Sequence, residues 1–158
     1  MSYVDHHLLD GEVVRFRTHL HWRLYLPSVL LFLFVLAPLA VALILFNHAI
    51  WAVAPMTLGA LLLAAAHVKR MGSEFAVTNK RVMIKIGVFS TQSIELLLSK
   101  VEGIAVHQGM GGRMMNYGDI IVSGSGGTKE TFRGIQAPLE FRRAIQAATD
   151  EREMAQRA

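Results

Sequence analysis

The sequence predicts a membrane-anchored, mainly-β protein: an α-helical hairpin in the bilayer and a barrel of about six or seven short antiparallel strands capped by a C-terminal α-helix. Three observations predict it. No Asp, Glu, Lys or Arg occurs from Leu24 to Val68, while every later stretch is regularly charged. After Gly72 apolar residues recur with a period of two. After Pro138 they recur with a helical period.

The first apolar run, Leu24 to Phe46, makes a helix of roughly 35 Å against a hydrocarbon core of about 30 Å. Most of its residues are Leu, Ile, Phe or Val, each favouring insertion by roughly 0.3–0.6 kcal/mol near the bilayer centre. Pro38 predicts a kink, which lipid-embedded helices tolerate when neighbours satisfy the freed carbonyl. The second run, Ile50 to Val68, is shorter and richer in Ala. Gly59, Ala60 and Ala64 give it a small-residue face that lets a partner helix approach. The return turn falls at Asn47-His48, with Trp51 beside it and Trp22 and Tyr25 at the opposite end, where interfacial aromatics belong. Ala40-Val41-Ala42 resembles a signal-peptidase site, but the apolar run continues past it and the charged lead-in is long. A hairpin this apolar buried inside a soluble protein would need a far larger chain around it.

Orientation follows from flanking charge. Arg15, Arg17 and Arg23 precede the first span, Lys69 and Arg70 follow the second, and the turn between has no Lys or Arg. Both termini are therefore expected on the cytoplasmic side. The expected organisation is an N-terminal cytoplasmic segment over 1–23, a hairpin over 24–68 (spans 24–46 and 50–68), a β domain over 72–149, and a charged, frayed tail over 150–158.

Within the β domain, residues 74–78 and 81–86 read as a hairpin around Asn79-Lys80, where Asn tolerates positive φ. Arg81, Met83 and Lys85 share one face of the second strand, and Val82, Ile84 and Ile86 the other. Residues 93–97 and 101–106 look like further strands. The stretch 108–118, rich in Gly and Met, reads as a loop with one short helical turn. Strands resume at 119–123 and 129–133 around a glycine turn at 124–127, and Pro138 opens a helix with Phe141, Ile145 and Ala148 on its inner stripe and Glu140, Arg142 and Arg143 outside.

Several of these residues also resemble a known family. Thr78-Asn79-Lys80-Arg81-Val82, Ile86-Gly87-Val88-Phe89-Ser90 and Leu98-Ser99-Lys100-Val101-Glu102-Gly103-Ile104 are similar to the bacterial PH (pleckstrin-homology-like) domain family, of the type often described as YdbS-like. So are Gln108, Gly112-Arg113, Tyr117-Gly118-Asp119-Ile120, Val122, Phe132-Arg133-Gly134-Ile135 and Pro138. Each match is short, but their order and spacing extend from Gly72 to Ala147. Glu74-Phe75-Ala76 departs from the pattern, which more commonly has an aromatic two residues before the Thr. The resemblance implies a PH-like barrel, a preceding pair of transmembrane helices, a bacterial cytoplasmic (inner) membrane location, and binding or scaffolding rather than catalysis. It hands over no catalytic residue.

The residues themselves offer little chemistry. The chain has no Cys, which excludes disulfides, thiolate metal sites and thiol nucleophiles. Of seven histidines, His6-His7 and His19-x-His21 form pairs without an evident third and fourth ligand. His48 and His67 have no carboxylate within the spans, and His107 sits at a strand end. Ser123 and Ser125 lie among glycines but lack the strand-turn-helix setting of a nucleophile elbow. Gly109, Gly111 and Gly112 lack the Gly-Lys-Ser/Thr ending of a phosphate loop. Basic residues do not interleave with aromatics as on a nucleic-acid platform. No enzyme activity, cofactor, metal or nucleic acid is expected.

What remains is charge at a bilayer surface. The formal net charge is +4, and Lys69, Arg70, Lys80, Arg81 and Lys85 are the candidate contacts for lipid or a partner. The leading reading is a non-catalytic module for protein interaction or scaffolding at the cytoplasmic face, with Met110, Met114 and Met115 as adaptable contacts. Self-association through the small-residue face or open sheet edges fits the same pattern. One alternative is an anionic-lipid sensor using the basic patch, each charge contributing on the order of 1 kcal/mol near an anionic surface. Another is an accessory subunit of a transport or secretion complex.

Overall fold

The computed structural model describes residues 3–87, 92–125, 127 and 129–157. It divides into two compact units, Trp22–Met71 and the remainder of the chain on either side of it.

The helical unit is a hairpin of α2 (Trp22–Leu45) and α3 (Ala49–Met71), each long and apolar enough to cross a bilayer. The disturbance at Pro38 takes the form of a π turn over Phe32–Leu36, in which the Ala37 N–H bonds the Phe32 carbonyl five residues back. Proline has no N–H to give and its ring crowds the carbonyl four residues earlier, so the preceding turn widens. The connection falls at the expected Asn47-His48. Asn47 takes φ 61°, its N–H bonds the Ile44 carbonyl at 3.1 Å, and the His48 N–H bonds that of Leu43 at 2.8 Å, a Schellman termination. Gly59 is buried against Phe32: a Cβ there would stand 2.2 Å from the ring carbon Cδ2. Around this contact Leu36, Ala40, Ala52 and Pro55 are buried, while Phe34, Leu45, Phe46 and Ile50 are at least 70% exposed.

The other unit holds two antiparallel sheets and a helix. The first has the order β1 (Val14–His19), β2 (Glu74–Thr78), β3 (Arg81–Ile86), β4 (Gln92–Leu97). A 3-10 turn at Leu98–Lys100 leads to the second, β5 (Val101–His107), β6 (Tyr117–Gly124), β7 (Lys129–Gln136). The short helices α1 (Tyr3–His6) and α4 (Met110–Met114) lie at the N-terminus and between β5 and β6, and α5 (Pro138–Arg157) follows β7. The core forms where inward faces of both sheets meet α5. Phe75, Val77, Val82, Ile84, Leu98, Ile120, Val122, Phe132 and Ile135 pack there with Phe141, Ile145 and Ala148, the predicted stripe of the helix. Phe75 meets Phe132 edge to face, their ring centroids 6.2 Å apart. This is the arrangement of a PH-like fold.

Three sequence expectations change. The segment before the hairpin is not a separate lead-in, because Val14–His19 pairs antiparallel with β2 from Val14↔Thr78 to His19↔Glu74. Its Phe16 packs edge-on to Phe141 at 6.3 Å, which ties the strand to α5. The charged residues after Thr149, expected as a frayed tail, continue α5 to Arg157. Arg142, placed outside the stripe, is half-buried. Of the family-like segments, Val88-Phe89-Ser90 lies outside the described residues, as does Gly126 of the expected glycine turn.

Candidate functional site

The five basic residues singled out from the sequence fall into two groups. Lys69 and Arg70 end α3 in the helical unit, where the Arg70 guanidinium carbon stands 5.9 Å from the centre of the Tyr25 ring. Lys80, Arg81 and Lys85 belong to the β unit.

Arg81 is not offered to solvent. Strand alternation puts Arg81, Met83 and Lys85 on the outer face of the first sheet, and the chain before β1 covers that face. Val4 of α1 is buried against Ala76 and Met83, with Tyr3, Leu8 and Val14 around them. Arg81 grips the Glu12 carboxylate with Nε (3.0 Å) and Nη2 (2.9 Å), donates from Nη2 to the His7 carbonyl (2.6 Å), and reaches Glu95 with Nη1 (2.5 Å). The Glu12 side chain is 0% exposed and that of Arg81 12%. Glu12 also accepts the Leu9 N–H at 2.8 Å and lies 2.7 Å from the Thr78 hydroxyl. Burial pushes the pKa of Glu12 up, but hydrogen bonds from Arg81, Leu9 and Thr78 and the guanidinium charge outweigh it, leaving the carboxyl below its ordinary value. The pKa of the Arg81 guanidinium is correspondingly raised, chiefly by the hydrogen bonds it donates to Glu12 and against the opposing effect of burial.

The β2–β3 turn serves the same strap. Positive φ at Asn79, expected from the sequence, is not found; among described non-glycine residues only Asn47, Asn116 and Ala137 take it. Asn79 instead docks the N-terminal segment, accepting the Val13 N–H at Oδ1 (3.0 Å) and donating from Nδ2 to the Gly11 carbonyl (3.1 Å). Lys80 Nζ donates to the Asp10 carbonyl at 2.8 Å, and Lys85 Nζ lies 4.7 Å above the Tyr3 ring. Arg17, read as a topology signal, pairs with Asp5, and Arg15 pairs with Glu151 of α5 at 2.7 Å. The predicted patch is therefore partly consumed in holding residues 3–13 to the sheet, and only Lys80 keeps a well-exposed side chain in this group.

Two open features remain. Among the described residues strand β5 is an edge of its sheet, so alternate residues turn their N–H and C=O away from β6 with no described strand to receive them. Beside it a groove of about 470 Å³ runs between β5 and α5, lined by Val101–Ile104 on one side and Ile145, Gln146, Thr149 and Asp150 on the other. Its charged lining groups are the carboxylates of Glu102 and Asp150. Local alternation marks this strand but not the groove, since nothing local shows which strand ends a sheet.

The second feature is the glycine-methionine turn. Met110 and Met114 are 87% and 88% exposed, and Met115 is half exposed, so the methionines do not serve the core. The turn under them is tightly held. Gln108 Nε2 donates to the Tyr117 carbonyl at 3.0 Å, and a Cβ on Gly112 would sit 2.6 Å from that same oxygen. Asn116 closes α4 at φ 54°.

Among the described residues no group of three or more His, Asp or Glu side chains is placed to hold a metal ion. His7 stacks on Tyr3 with centroids 4.0 Å apart, and His21 on Tyr117 at 5.0 Å.

No curated protein and no solved structure matches the chain. The family model described as "Bacterial PH domain" matches residues 24–149, from the start of the hairpin through most of the terminal helix. That family is generally non-catalytic. A match over this much of the sequence, on a chain with two antiparallel sheets and a capping helix, places the protein in the bacterial PH domain family.

Proposed function

We propose that the protein is a membrane-anchored, non-catalytic interaction module that receives an extended segment of a partner protein along β5. The observation that carries this reading is the coincidence of an unpaired strand edge with a groove against α5. An added strand takes its affinity from main-chain hydrogen bonds and its selectivity from alternate side chains entering a neighbouring pocket. Glu102 and Asp150 favour a cationic side chain in that pocket. The anchor is the α2–α3 hairpin, whose most exposed residues are large and apolar and would cost heavily in water. Both termini face the cytoplasm in this reading.

A photo-crosslinking residue at Ala105 of β5, in the full-length chain in its native membrane, tests it. One reproducible partner adduct, weakened by Glu102→Lys, is the expected result. Absence of any adduct other than lipid or the chain itself would contradict it. The anionic-lipid reading now rests on Lys69, Arg70, Lys80 and Lys85, since Arg81 is engaged internally. Unchanged binding to anionic vesicles by Lys80→Glu/Lys85→Glu would remove the contribution of that face.

A further inference from the structure

We infer that the methionine turn is a membrane-interface contact, with Met110 and Met114 inserted among lipid headgroups and upper acyl chains and Arg113 reaching for phosphate. The inference rests on the anchor reading above, and it adds a contact that neither the hairpin nor the β5 edge supplies.

The chain leaves the β unit after His21 and returns at Gly72. These points are side by side, because His19 pairs with Glu74 across β1 and β2 and its Nδ1 lies 3.3 Å from the Ser73 carbonyl oxygen. The residues after the exit, Trp22 and Arg23, are types that settle at the headgroup level. With consecutive Cα atoms about 3.8 Å apart, His21 lies within one or two residues of that level.

His21 does not point away from the methionine turn. Its ring packs on Tyr117 at 5.0 Å, and its N–H bonds the Gly134 carbonyl at 2.9 Å. The Tyr117 hydroxyl in turn lies 3.3 Å from the position a Cβ on Gly111 would take, within α4. A continuous run of side chains therefore connects the exit point to the turn. The turn stands at the end of the β unit from which the chain departs toward the bilayer.

The turn is built to present its methionines. Met110 and Met114 are four apart, on one side of a single helical turn, and both are almost fully exposed. The backbone beneath them is fixed by Gln108 and by two glycines, Gly112 and Gly118, at which any Cβ would meet backbone or side-chain atoms at 2.6–2.7 Å. A fixed backbone with unbranched apolar side chains inserts without a large ordering cost. Arg113 between them is exposed and long enough to keep its charge at the phosphates while its stem lies along the apolar chains.

Because the chain contains no Cys, single cysteines report cleanly. An environment-sensitive fluorophore at Met110→Cys or Met114→Cys, in full-length protein in nanodiscs of zwitterionic and anionic lipid, is compared with Phe34→Cys in the hairpin and Lys129→Cys. Lys129 lies at the opposite end of β7 from Gln136, the partner of Tyr117, about 23 Å along the strand. Lipids spin-labelled near the headgroup should quench the probes at 110 and 114, with emission shifted to the blue, and leave 129 unaffected, while lipids labelled deep in the acyl chain report on the probe at 34, near the middle of its helix. Quenching at 34 alone would overturn the inference while the anchor stands. No quenching at 34 would overturn the anchor and this inference with it. All three substituted β-unit positions are exposed and make little packing, so the fold is retained; a matching thermal transition with the unlabelled protein verifies it.

Discussion

At the scale of single residues, the fold turns on the buried carboxylate of Glu12. Glu12 draws together Arg81, Thr78 and the backbone N–H of Leu9, and Arg81 passes the connection to Glu95 and the His7 carbonyl. Removing one partner of a buried pair leaves the other uncompensated, which costs about 3–5 kcal/mol. Arg81 keeps Glu95, so Glu12→Ala should cost about 3 kcal/mol in denaturant unfolding, toward the low end. Because the folded state holds Glu12 below its ordinary pKa, this stabilisation is complete above the ordinary carboxylate range and is lost as pH falls through the folded value. Thermal melts from neutral pH into acid should show that loss, and Glu12→Gln should remove this component of it. An unchanged acid profile in the Gln variant would contradict the assignment. Gly59 is the counterpart in the hairpin. With Phe32 Cδ2 only 2.2 Å from any added Cβ, Gly59→Val should cost about 1–3 kcal/mol by overpacking, read as a lower melting temperature in detergent.

Whole elements show what a linear sequence can carry. Strands β2 to β7 and the stripe of α5 were legible because each shows its period locally, with residues such as Val82 and Ile84 or Phe141 and Ile145 buried as expected. Strand β1 carried the same signal, with Val14, Phe16 and Thr18 alternating with Arg15, Arg17 and His19. Its arginines also fit a membrane-orientation signal, which masks the alternation, whereas Arg15 and Arg17 pair with Glu151 and Asp5. The engagement of Arg81 was illegible for a related reason. Alternation correctly put Arg81 and Lys85 on one face, but which face another segment covers depends on contacts some 70 residues apart in sequence, as from Arg81 to Glu12 and His7. The groove beside β5 was invisible on the same grounds. If residues 3–13 act as a structural strap, deleting them should expose Ala76 and Met83, lower the melting temperature and increase hydrogen exchange in β2 and β3. An unaltered exchange pattern would show the strap to be passive.

For the molecule as a whole, chain order is the informative fact. The hairpin is not a leader preceding a complete domain; it is the connection between β1 and β2 of one sheet. A domain interrupted in this way draws its first strand and its strap from before the helical hairpin and the other six strands from after it. Antiparallel neighbours need only a short link, and the ends of β1 and β2 are paired at His19 and Glu74. The β unit is therefore expected to fold without the hairpin but not without the residues before it. The most direct measurement replaces residues 22–71 with a short Gly/Ser linker and follows the purified chain by thermal unfolding in water. A soluble protein with one cooperative transition, absent when residues 72–158 are produced alone, is the expected result. Aggregation of the joined chain, or equal stability of 72–158 without β1, would contradict it.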